Sequence, residues 1–440
     1  MSFSLKKLLS FFIVIFFLFF NLLISFSVAA ADSKPAPTNL YSKYCALIDG
    51  DSGRLLYGKN SDAQVPMAST TKIMTCFLAL KDLPDDFVAT TSSYAASMPD
   101  VQLNAVKGQQ FRIIDLLYSL MLKSHNDTAV IVAENYAFYY LCKNPAVISQ
   151  NHFQDISLSF LTKEILNSAD SSILSTLTVE QSKSLVQVFA FFMNQQAKSF
   201  GCDHTYYITP NGLDATDQNG QHSTTAYELA LIMSKCIENS DFNRICQTKN
   251  YSFSDFSGKV SYFVSNANAF LNMYDNIIAG KTGFTGNAGY CYVCAYKADG
   301  RTFVIALLAC GWPSNKTYKW KDARLLLNYA RERYYKKEVL GCEILSDTVK
   351  VTGGDLDYAY VQSRYTSEFL LSDSDNVNVL FDIPSRVNAP VYAGETAGTA
   401  HIFINDTLIS NIPLTYCSSV SRASYSSKIH IIIRKFLFVK

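Results

Sequence analysis

The chain has 440 residues, which is enough for one large or two moderate domains once a targeting segment is removed. Its 38 Lys and Arg residues nearly balance 37 Asp and Glu residues, so the formal net charge is +1. This balance gives no electrostatic basis for nucleic-acid binding, and no pattern of basic and aromatic residues suggests it either.

The first 30 residues have the pattern of an export signal. Two lysines precede an almost wholly apolar run at 8–28, and small residues follow at 28–31. This order is typical of a secretory signal peptide, and we expect cleavage near Ala30 or Ala31. The run is also long enough to span a bilayer as an uncleaved anchor, but the A-x-A-like site favours cleavage. In both cases the rest of the chain is predicted to be exported and to lie outside the cytoplasm.

Eleven cysteines are scattered from Cys45 to Cys417 rather than grouped at short spacings. Because the number is odd, at least one cysteine stays unpaired within the chain. Cys291 and Cys294 form a C-x-x-C pair, but in a strand their side chains would point to opposite faces. With no second ligand pair and no suitably spaced histidines, we expect no metal site. We expect buried free thiols, although an oxidising compartment would permit one or two disulfides.

The first chemical motif follows two short predicted strands. A linker-like segment at 34–39 precedes the predicted strands at 45–49 and 53–57. Ser69 and Lys72 then open an apolar helical run, three residues apart on one helix face. This spacing lets the lysine amine take a proton from the serine hydroxyl. A lone S-x-x-K pair is weak evidence, because a serine before a helix is most often an N-cap.

Two further motifs occur downstream. A Ser-x-Asn element at 124–126 separates predicted helices at 111–122 and 127–136, and a K-T-G element lies at 281–283. The remaining elements predicted for this half are helices at 185–200 and 322–335 and strands at 276–281, 290–296 and 302–310. Penicillin-binding proteins and class A β-lactamases share these three motifs. Their joint occurrence in the right order is far less expected by chance than any one motif.

The flanks of the motifs resemble the low-molecular-mass serine D-alanyl-D-alanine carboxypeptidases, the penicillin-binding proteins of the peptidase S11 type. The similarity is carried by 67–75, 115–127, 211–214, 222–228 and 281–285, and it extends from about Ala46 to Glu338, more weakly to about Leu414. The resemblance implies an α+β fold. In it, a β-lactamase/transpeptidase-like catalytic domain, an antiparallel sheet flanked by helices, is followed by a small all-β domain.

The resemblance also implies the reaction and its partners. Such enzymes remove the terminal D-Ala from peptidoglycan stem peptides through an acyl-serine, use no metal or cofactor, and are inhibited covalently by β-lactam antibiotics. Ser69 is the expected nucleophile, Lys72 the base, and Ser124 the group that relays a proton to the leaving amine. The expected substrate-binding residues are Asn126, Lys281, Thr282, Gly283 and Phe284.

Two consequences of these roles can be stated from the sequence. Lys72 must be neutral when it acts, and we expect the charge of Lys281 to lower its pKa more than the helix N-terminus does. The backbone N–H groups of Ser69 and Phe284 are expected to form the oxyanion hole.

These patterns divide the chain into segments. After the signal at 1–30, we predict a catalytic domain at 39–340, a small β-rich domain at 341–417 and a basic and apolar tail at 418–440. Within the catalytic domain, 137–184 is an extra segment of helical pattern that similar enzymes lack. The tail is too short to span a bilayer, so it is predicted to be either a last strand or a peripheral membrane contact.

Three alternatives remain. A transpeptidase would pass the same acyl-enzyme to an amine instead of water. A class A-like β-lactamase would need a glutamate followed four residues later by an asparagine, but Glu164 and Asn167 are one residue too close and lie in the extra segment. A non-catalytic sensor of cell-wall peptide or β-lactam is the alternative of another class, although all three motifs are intact. His125 is a further candidate for a catalytic group, but the mechanism already has a base.

Overall fold

The structure is a computed structural model that describes residues 35–149, 153, 155–342, 344–425, 429 and 433. The predicted signal at 1–30 lies outside these residues, and so does most of the tail at 418–440. The helices are α1 (Lys72–Asp82), α2 (Ser93–Ala96), α3 (Ile113–Leu122), α4 (Asn126–Lys143), α5 (Lys163–Ser168), α6 (Val179–Ser199), α7 (Ala226–Cys236), α8 (Ser240–Gln247) and α9 (Tyr318–Arg333). No helix in these described ranges has the length and apolar character needed to cross a bilayer.

The strands divide between a catalytic region and a C-terminal region. Those up to residue 308 are β1 (Tyr44–Asp49), β2 (Leu55–Lys59), β3 (Val88–Thr90), β4 (Gln110–Arg112), β5 (Thr216–Asp217), β6 (Gly220–Gln221), β7 (Asn250–Ser254), β8 (Ser261–Ser265), β9 (Ile277–Thr285), β10 (Gly289–Ala298) and β11 (Arg301–Leu308). The later ones are β12 (Tyr335–Leu340), β13 (Ile344–Thr352), β14 (Tyr358–Ser363), β15 (Ser367–Leu371), β16 (Val377–Asp382), β17 (Arg386–Asn388), β18 (Thr396–Ile404) and β19 (Thr407–Tyr416).

The catalytic region is organised around a five-stranded antiparallel sheet in the order β2-β1-β11-β10-β9. Side chains alternate between its faces, so β10 contributes to two separate cores. Cys291 belongs to the core beneath the main group of helices, and Cys294 belongs to the core beneath α9. The prediction that these two cysteines point to opposite faces is therefore confirmed. All eleven cysteines are free thiols, so the disulfides that the sequence permitted do not form.

Helices cover both faces of this sheet. On one face α9 packs Ala323, Leu326 and Leu327 against the strands. On the other face lies an all-helical region centred on α4, most of whose side chains are buried. Burial of each large aliphatic side chain stabilises the fold by roughly 1.5–3 kcal/mol, and this is why the apolar helices predicted from the sequence form here.

The extra segment predicted at 137–184 enlarges the helical region. The helix α4 continues to Lys143 instead of ending at Tyr136, and α6 begins at Val179, earlier than the predicted helix. Thr178 and Gln181 form a capping box at the start of α6, which explains this earlier beginning. Between these helices the buried apolar side chains are Phe153, Leu158, Leu161, Leu174 and Leu177.

Two element boundaries near the motifs differ from the sequence prediction. Ser69 does not lie in the α-helix but in a preceding 3₁₀ turn, Ala68–Thr71. The strand predicted to end at Lys281 continues through the glycine of the K-T-G motif to Thr285. Glycine usually interrupts a strand, but at Gly283 it permits a close backbone approach to the Ala68–Thr71 turn.

The C-terminal region is a separate β-rich unit, as the fold class predicted. Six strands form a sheet in the order β16-β18-β19-β14-β13-β17, with a core of their own that includes Val361 and Ile402. Arg54 of the catalytic region joins this unit through two hydrogen bonds of 3.2 Å to the carboxylate of Asp375. Both side chains are at least nine-tenths buried, so this ion pair fixes the contact between the two regions.

Candidate active site

The turn that carries Ser69 is held in an unusual backbone conformation. Ala68 has a φ of 50°, in the left-handed region that non-glycine residues rarely occupy. The hydroxyl of Thr71 donates to the Ala68 carbonyl at 2.9 Å and stabilises the turn. Gly212 lies so close that a Cβ there would be 2.0 Å from the same carbonyl oxygen, so this position requires glycine. Together these contacts hold Ser69, half-buried, just before α1.

Lys72 lies fully buried beneath Ser69. Its Nζ is 2.9 Å from Ser69 Oγ, 2.9 Å from Asn126 Oδ1 and 2.5 Å from the Asn211 carbonyl oxygen. Burial lowers the pKa of Lys72 well below the usual lysine value, and the charge of Lys281 lowers it less. The expectation from the sequence compared the charge of Lys281 only with the helix N-terminus and did not include burial, which is the larger cause. The amine of Lys72 is a base poised beside a hydroxyl.

Asn126 has a fixed orientation. Its Nδ2 donates to the carbonyl oxygens of Pro99 and Asp100, at 3.0 and 3.1 Å. These acceptors cannot donate in return, so Oδ1 must be the atom that faces Lys72. Asn126 lines the cleft, as predicted for a substrate-binding residue, but the sequence did not predict its contact with Lys72. Both of its amide hydrogens are already used within the protein.

A second serine and lysine face the same cleft. Lys281 Nζ donates to Ser124 Oγ at 2.8 Å and to the Thr282 carbonyl at 2.8 Å. Lys281 is buried, and this burial lowers its pKa to about 7. Ser124 lies between α3 and α4 with a φ of 70°. Among the hydrogen bonds of the described residues, Ser124 pairs with Lys281 and not with Lys72.

The strand β9 forms the edge of the sheet beside these residues. Tyr290 is opposite Phe284 on β10, but its N–H and C=O bond to residues 311 and 310 on the other side of β10. In an antiparallel ladder the two members of such a pair do not bond each other, so the N–H of Phe284 points outward, away from β10. Gly283 lies against Ser69, since a Cβ there would be 2.9 Å from the Ser69 nitrogen. The outward N–H of Phe284 thus follows the residue that lies against the backbone of Ser69.

These elements enclose a cleft of about 570 Å³. Six of the eight predicted site residues line it: Ser69, Ser124, Asn126, Thr282, Gly283 and Phe284. The other two, Lys72 and Lys281, are buried and contact the lining serines from behind. The sequence reasoning missed Asn211, although its motif at 211–214 had been noticed. It also missed Lys319 and Trp320, because the predicted helix began at 322 instead of 318.

Two other candidates from the sequence lie elsewhere. His125 is buried with its Nδ1 2.7 Å from Ser119 Oγ, and burial lowers its pKa to about 4. Glu164 is exposed on α5, and no glutamate is among the described residues that line the cleft. In the described ranges, no three or more His, Cys, Asp and Glu side chains are grouped as metal ligands.

The geometry defines a class of site. A serine hydroxyl bound by a buried amine, beside outward-pointing N–H groups of an edge strand, is suited to acyl transfer through an acyl-serine. The family profile described as D-alanyl-D-alanine carboxypeptidase, peptidase S11, matches residues 30–138 and 180–309, which is more than half of the chain. The chain therefore belongs to this family of penicillin-binding serine hydrolases. The unmatched residues between the two stretches fall within the predicted extra segment.

Individual relatives agree with this assignment. The chain is 21% identical over 392 residues to D-alanyl-D-alanine carboxypeptidase DacF of Bacillus subtilis, with 87% of each chain covered. It is 22% identical over 426 residues to DacD of Escherichia coli, covering 93% of this chain and 95% of that one. Penicillin binding protein 5 from Haemophilus influenzae has a similar fold, with a TM-score of 0.63 and 20% identity over 88% of this chain and 100% of its own.

Proposed function

We propose that this enzyme removes the terminal D-Ala from peptidoglycan stem peptides, with Ser69 as the nucleophile and Lys72 as its base. The observation that carries the proposal is the 2.9 Å contact between Lys72 Nζ and Ser69 Oγ. Because burial favours the neutral amine, Lys72 can accept the proton that Ser69 must lose.

The surroundings of Lys72 direct its lone pair. A neutral amine has two hydrogens and one lone pair, and Lys72 has three oxygen neighbours. The carbonyl oxygen of Asn211 and Oδ1 of Asn126 can only accept, so they take the two hydrogens. The lone pair then points to Ser69 Oγ, whose own hydrogen it accepts. Asn126 therefore acts on the base in addition to lining the cleft.

The substrate would bind as an extended chain beside β9. The outward N–H of Phe284 and the N–H of Ser69 would stabilise the oxyanion that forms when Ser69 Oγ attacks the peptide carbonyl. The charge of Lys281 and the hydroxyl of Thr282 would hold the terminal carboxylate. Gly283 leaves room for the substrate backbone to lie along the strand.

Ser124 and Lys281 would serve the next step. Collapse of the tetrahedral intermediate breaks the peptide bond, and the D-Ala amine leaves with a proton. Ser124 Oγ can pass that proton because it is hydrogen-bonded to Lys281 at 2.8 Å. Water then attacks the acyl carbon and gives a proton to Lys281 through Ser124. The bond from that carbon to Ser69 Oγ breaks, and Lys72 returns its proton to Ser69, which restores the enzyme.

The cellular setting belongs to the same proposal. The apolar N-terminal run supports export, and the substrate class supports a location at the outer face of the membrane or in the wall. The cations and aliphatics of residues 428–440 support a peripheral membrane contact.

The test is to follow D-Ala release from a diacyl-Lys-D-Ala-D-Ala peptide by purified protein, with Ser69→Ala as the control. A parallel incubation with penicillin distinguishes the β-lactamase alternative. Because the described lining has no glutamate to activate water, the penicilloyl-enzyme should persist for minutes or longer. Rapid steady turnover of penicillin without D-Ala release would reject the proposal.

A further inference from the structure

His222 is a buried imidazole that the mechanism above does not use. It follows β6, precedes α7 and is 2% exposed. The sequence placed it in a family-like stretch at 222–228 but gave it no role. Its two ring nitrogens contact two different parts of the active site.

The hydrogen bonds of His222 fix its tautomer. Nδ1 accepts from the backbone N–H of Ile208 at 2.9 Å and of Thr209 at 3.3 Å. The hydrogen of the neutral ring is therefore on Nε2, which lies 2.8 Å from Thr71 Oγ1. Burial lowers the pKa of His222 to about 3, so the ring stays neutral at working pH.

One end of this hydrogen-bond chain supports the nucleophile. Nε2–H of His222 donates to the hydroxyl of Thr71, which in turn donates to the carbonyl of Ala68 at 2.9 Å. Ala68 is the residue in the left-handed conformation just before Ser69. Such a conformation costs free energy and persists only where neighbouring contacts hold it. Nε2–H therefore helps to set where the Ser69 hydroxyl lies.

The other ring nitrogen of His222, Nδ1, supports the loop that carries the Asn211 carbonyl, which accepts a hydrogen bond from Lys72. Residues 208 and 209, held by Nδ1, begin the loop that presents the Asn211 carbonyl to Lys72 at 2.5 Å. The hydroxyl of Thr75 on α1 donates to the Pro210 carbonyl at 2.7 Å and keeps the same loop against the helix. One imidazole thus joins the turn of the nucleophile to the loop that orients its base.

We propose that His222 is a positioning residue for acyl transfer. Through Thr71 and the 208–209 backbone, it fixes the position of Ser69 relative to the Asn211 carbonyl. This inference rests on the proposed roles of Ser69 and Lys72. His222 does not touch the substrate, so it should affect the rate of acylation and not the initial binding of penicillin or peptide.

The first test replaces the hydrogen bonds and keeps the ring. In His222→Phe we expect the acylation rate constant at saturating penicillin to fall by about 10–100-fold, since a displacement near 1 Å can cost about 10²-fold. The dissociation constant of the non-covalent complex should change by less than about twofold. His222→Gln can accept from Ile208 and donate to Thr71, so it should recover most of the rate. His401→Phe, the same change in the β-rich region, is the control.

A double-mutant cycle gives the second test. Thr71→Val keeps the side-chain shape and removes the hydroxyl that links His222 to Ala68. If the two residues act through one chain, the double variant should be about as slow as the slower single variant, because removing the second member loses nothing new. Thermal unfolding of each variant shows whether it folds. If His222→Phe does not fold, the acylation rate of Thr71→Val compared with that of the wild type still tests the proposal.

The outcomes are distinct. A rate loss in His222→Phe that His222→Gln restores, with non-additive coupling to Thr71→Val, supports the proposal. Unchanged acylation in both single variants, multiplicative losses in the double variant, weaker binding in place of slower acylation, or failure of His222→Gln to restore the rate would each overturn it. If the wild-type protein is not acylated by penicillin, the proposed function itself fails.

Discussion

Both walls of the cleft carry a serine hydroxyl bound to a buried lysine, yet we propose that only the Ser69–Lys72 pair is acylated. The distances do not separate them, since Ser69 is 2.9 Å from Lys72 and Ser124 is 2.8 Å from Lys281. The surroundings of the two serines separate the pairs. The N–H of Ser124 donates to the Leu120 carbonyl, whereas Ser69 faces the outward N–H groups beside β9.

The two lysines differ in the same way. Lys72 has two further acceptors that direct its lone pair to the serine, while Lys281 keeps one hydrogen bond to the neighbouring Thr282 carbonyl. In the proposed function the charge of Lys281 holds the substrate carboxylate, so its charged form and not its neutral form is required. A serine and lysine in contact are therefore insufficient for nucleophilic catalysis, because the oxyanion donors and the orientation of the base decide.

The clearest test of the difference between the two serine–lysine pairs is to remove each hydroxyl in turn. Ser69→Ala should abolish covalent labelling by a fluorescent penicillin, because the Ser69 hydroxyl is the one that contacts Lys72 and lies beside the backbone of Gly283. Ser124→Ala should still be labelled, about 10²-fold more slowly, since it loses only a proton relay. Labelling rates on gels and mass spectrometry of the labelled peptide measure both. Labelled Ser69→Ala, or a label on a peptide containing Ser124, would contradict the assignment.

The next largest effect is expected from Lys72→Arg. A guanidinium keeps the positive charge but cannot become neutral at accessible pH, so acylation should be about 10²–10⁴-fold slower at every pH tested. Lys281→Arg is the matched control, and it should acylate within about tenfold of the wild type because it retains the charge that binds the carboxylate. Equal losses in the two variants would show that the two lysines are not distinguished as described.

Asn126→Asp should act through the pKa of Lys72. A carboxylate in place of the amide favours the charged amine, so a higher pH is needed before Lys72 is neutral. Acylation rises with pH as the amine loses its proton, and this rising limb should move to higher pH in the variant, with a rate about tenfold or more lower at neutral pH. Asn144→Asp adds the same charge at the far end of α4 and should leave the limb in place. If the rising limb of the acylation rate lies at the same pH in Asn126→Asp as in the wild type, Asn126 does not act on Lys72 as proposed.

The smallest shift is expected from Lys281→Ala. Loss of this charge should move the acylation limb upward toward the usual lysine value, but less than Asn126→Asp does, because burial is the larger cause of the low pKa of Lys72. In the wild type Lys281 has a pKa of about 7 and loses its charge above that value, so carboxylate binding should weaken as pH rises beyond about 7.

The pH dependence of the acylation rate and of the non-covalent dissociation constant separates these two effects. Lys281→Arg should abolish the weakening above pH 7, because its charge persists. If Lys281→Ala binds more weakly and leaves the limb unmoved, Lys281 serves only to hold the carboxylate.

Most of the architecture around the site could be predicted from the sequence. Apolar periodicity located the principal helices and the strands of the central sheet. The Ser-Lys spacing and two later motifs contain seven of the eight proposed residues, and the family resemblance added Phe284. These features depend on local chemistry and on side-chain patterns that a sequence displays directly. The boundaries were less exact, as the start of α9 shows.

The contacts that distinguish the two serine–lysine pairs could not be predicted in this way. The carbonyl of Asn211 is a backbone group, so the residue type at position 211 does not predict that this carbonyl contacts Lys72. The left-handed conformation of Ala68 depends on Gly212 and Thr71, which are 141 positions apart along the chain. The dominance of burial over like charge in lowering the pKa of Lys72 depends on how completely the helices cover it.

The open edge of β9 has a consequence for what can approach the enzyme. An uncovered sheet edge is a template for pairing with other proteins and can lead to aggregation. Here the outward backbone at residues 282–284 lies within a cleft of about 570 Å³, between walls from α3–α4 and from the 211–214 loop. An extended peptide end fits such a recess, whereas its walls hinder pairing of this edge with the sheet of a neighbouring protein.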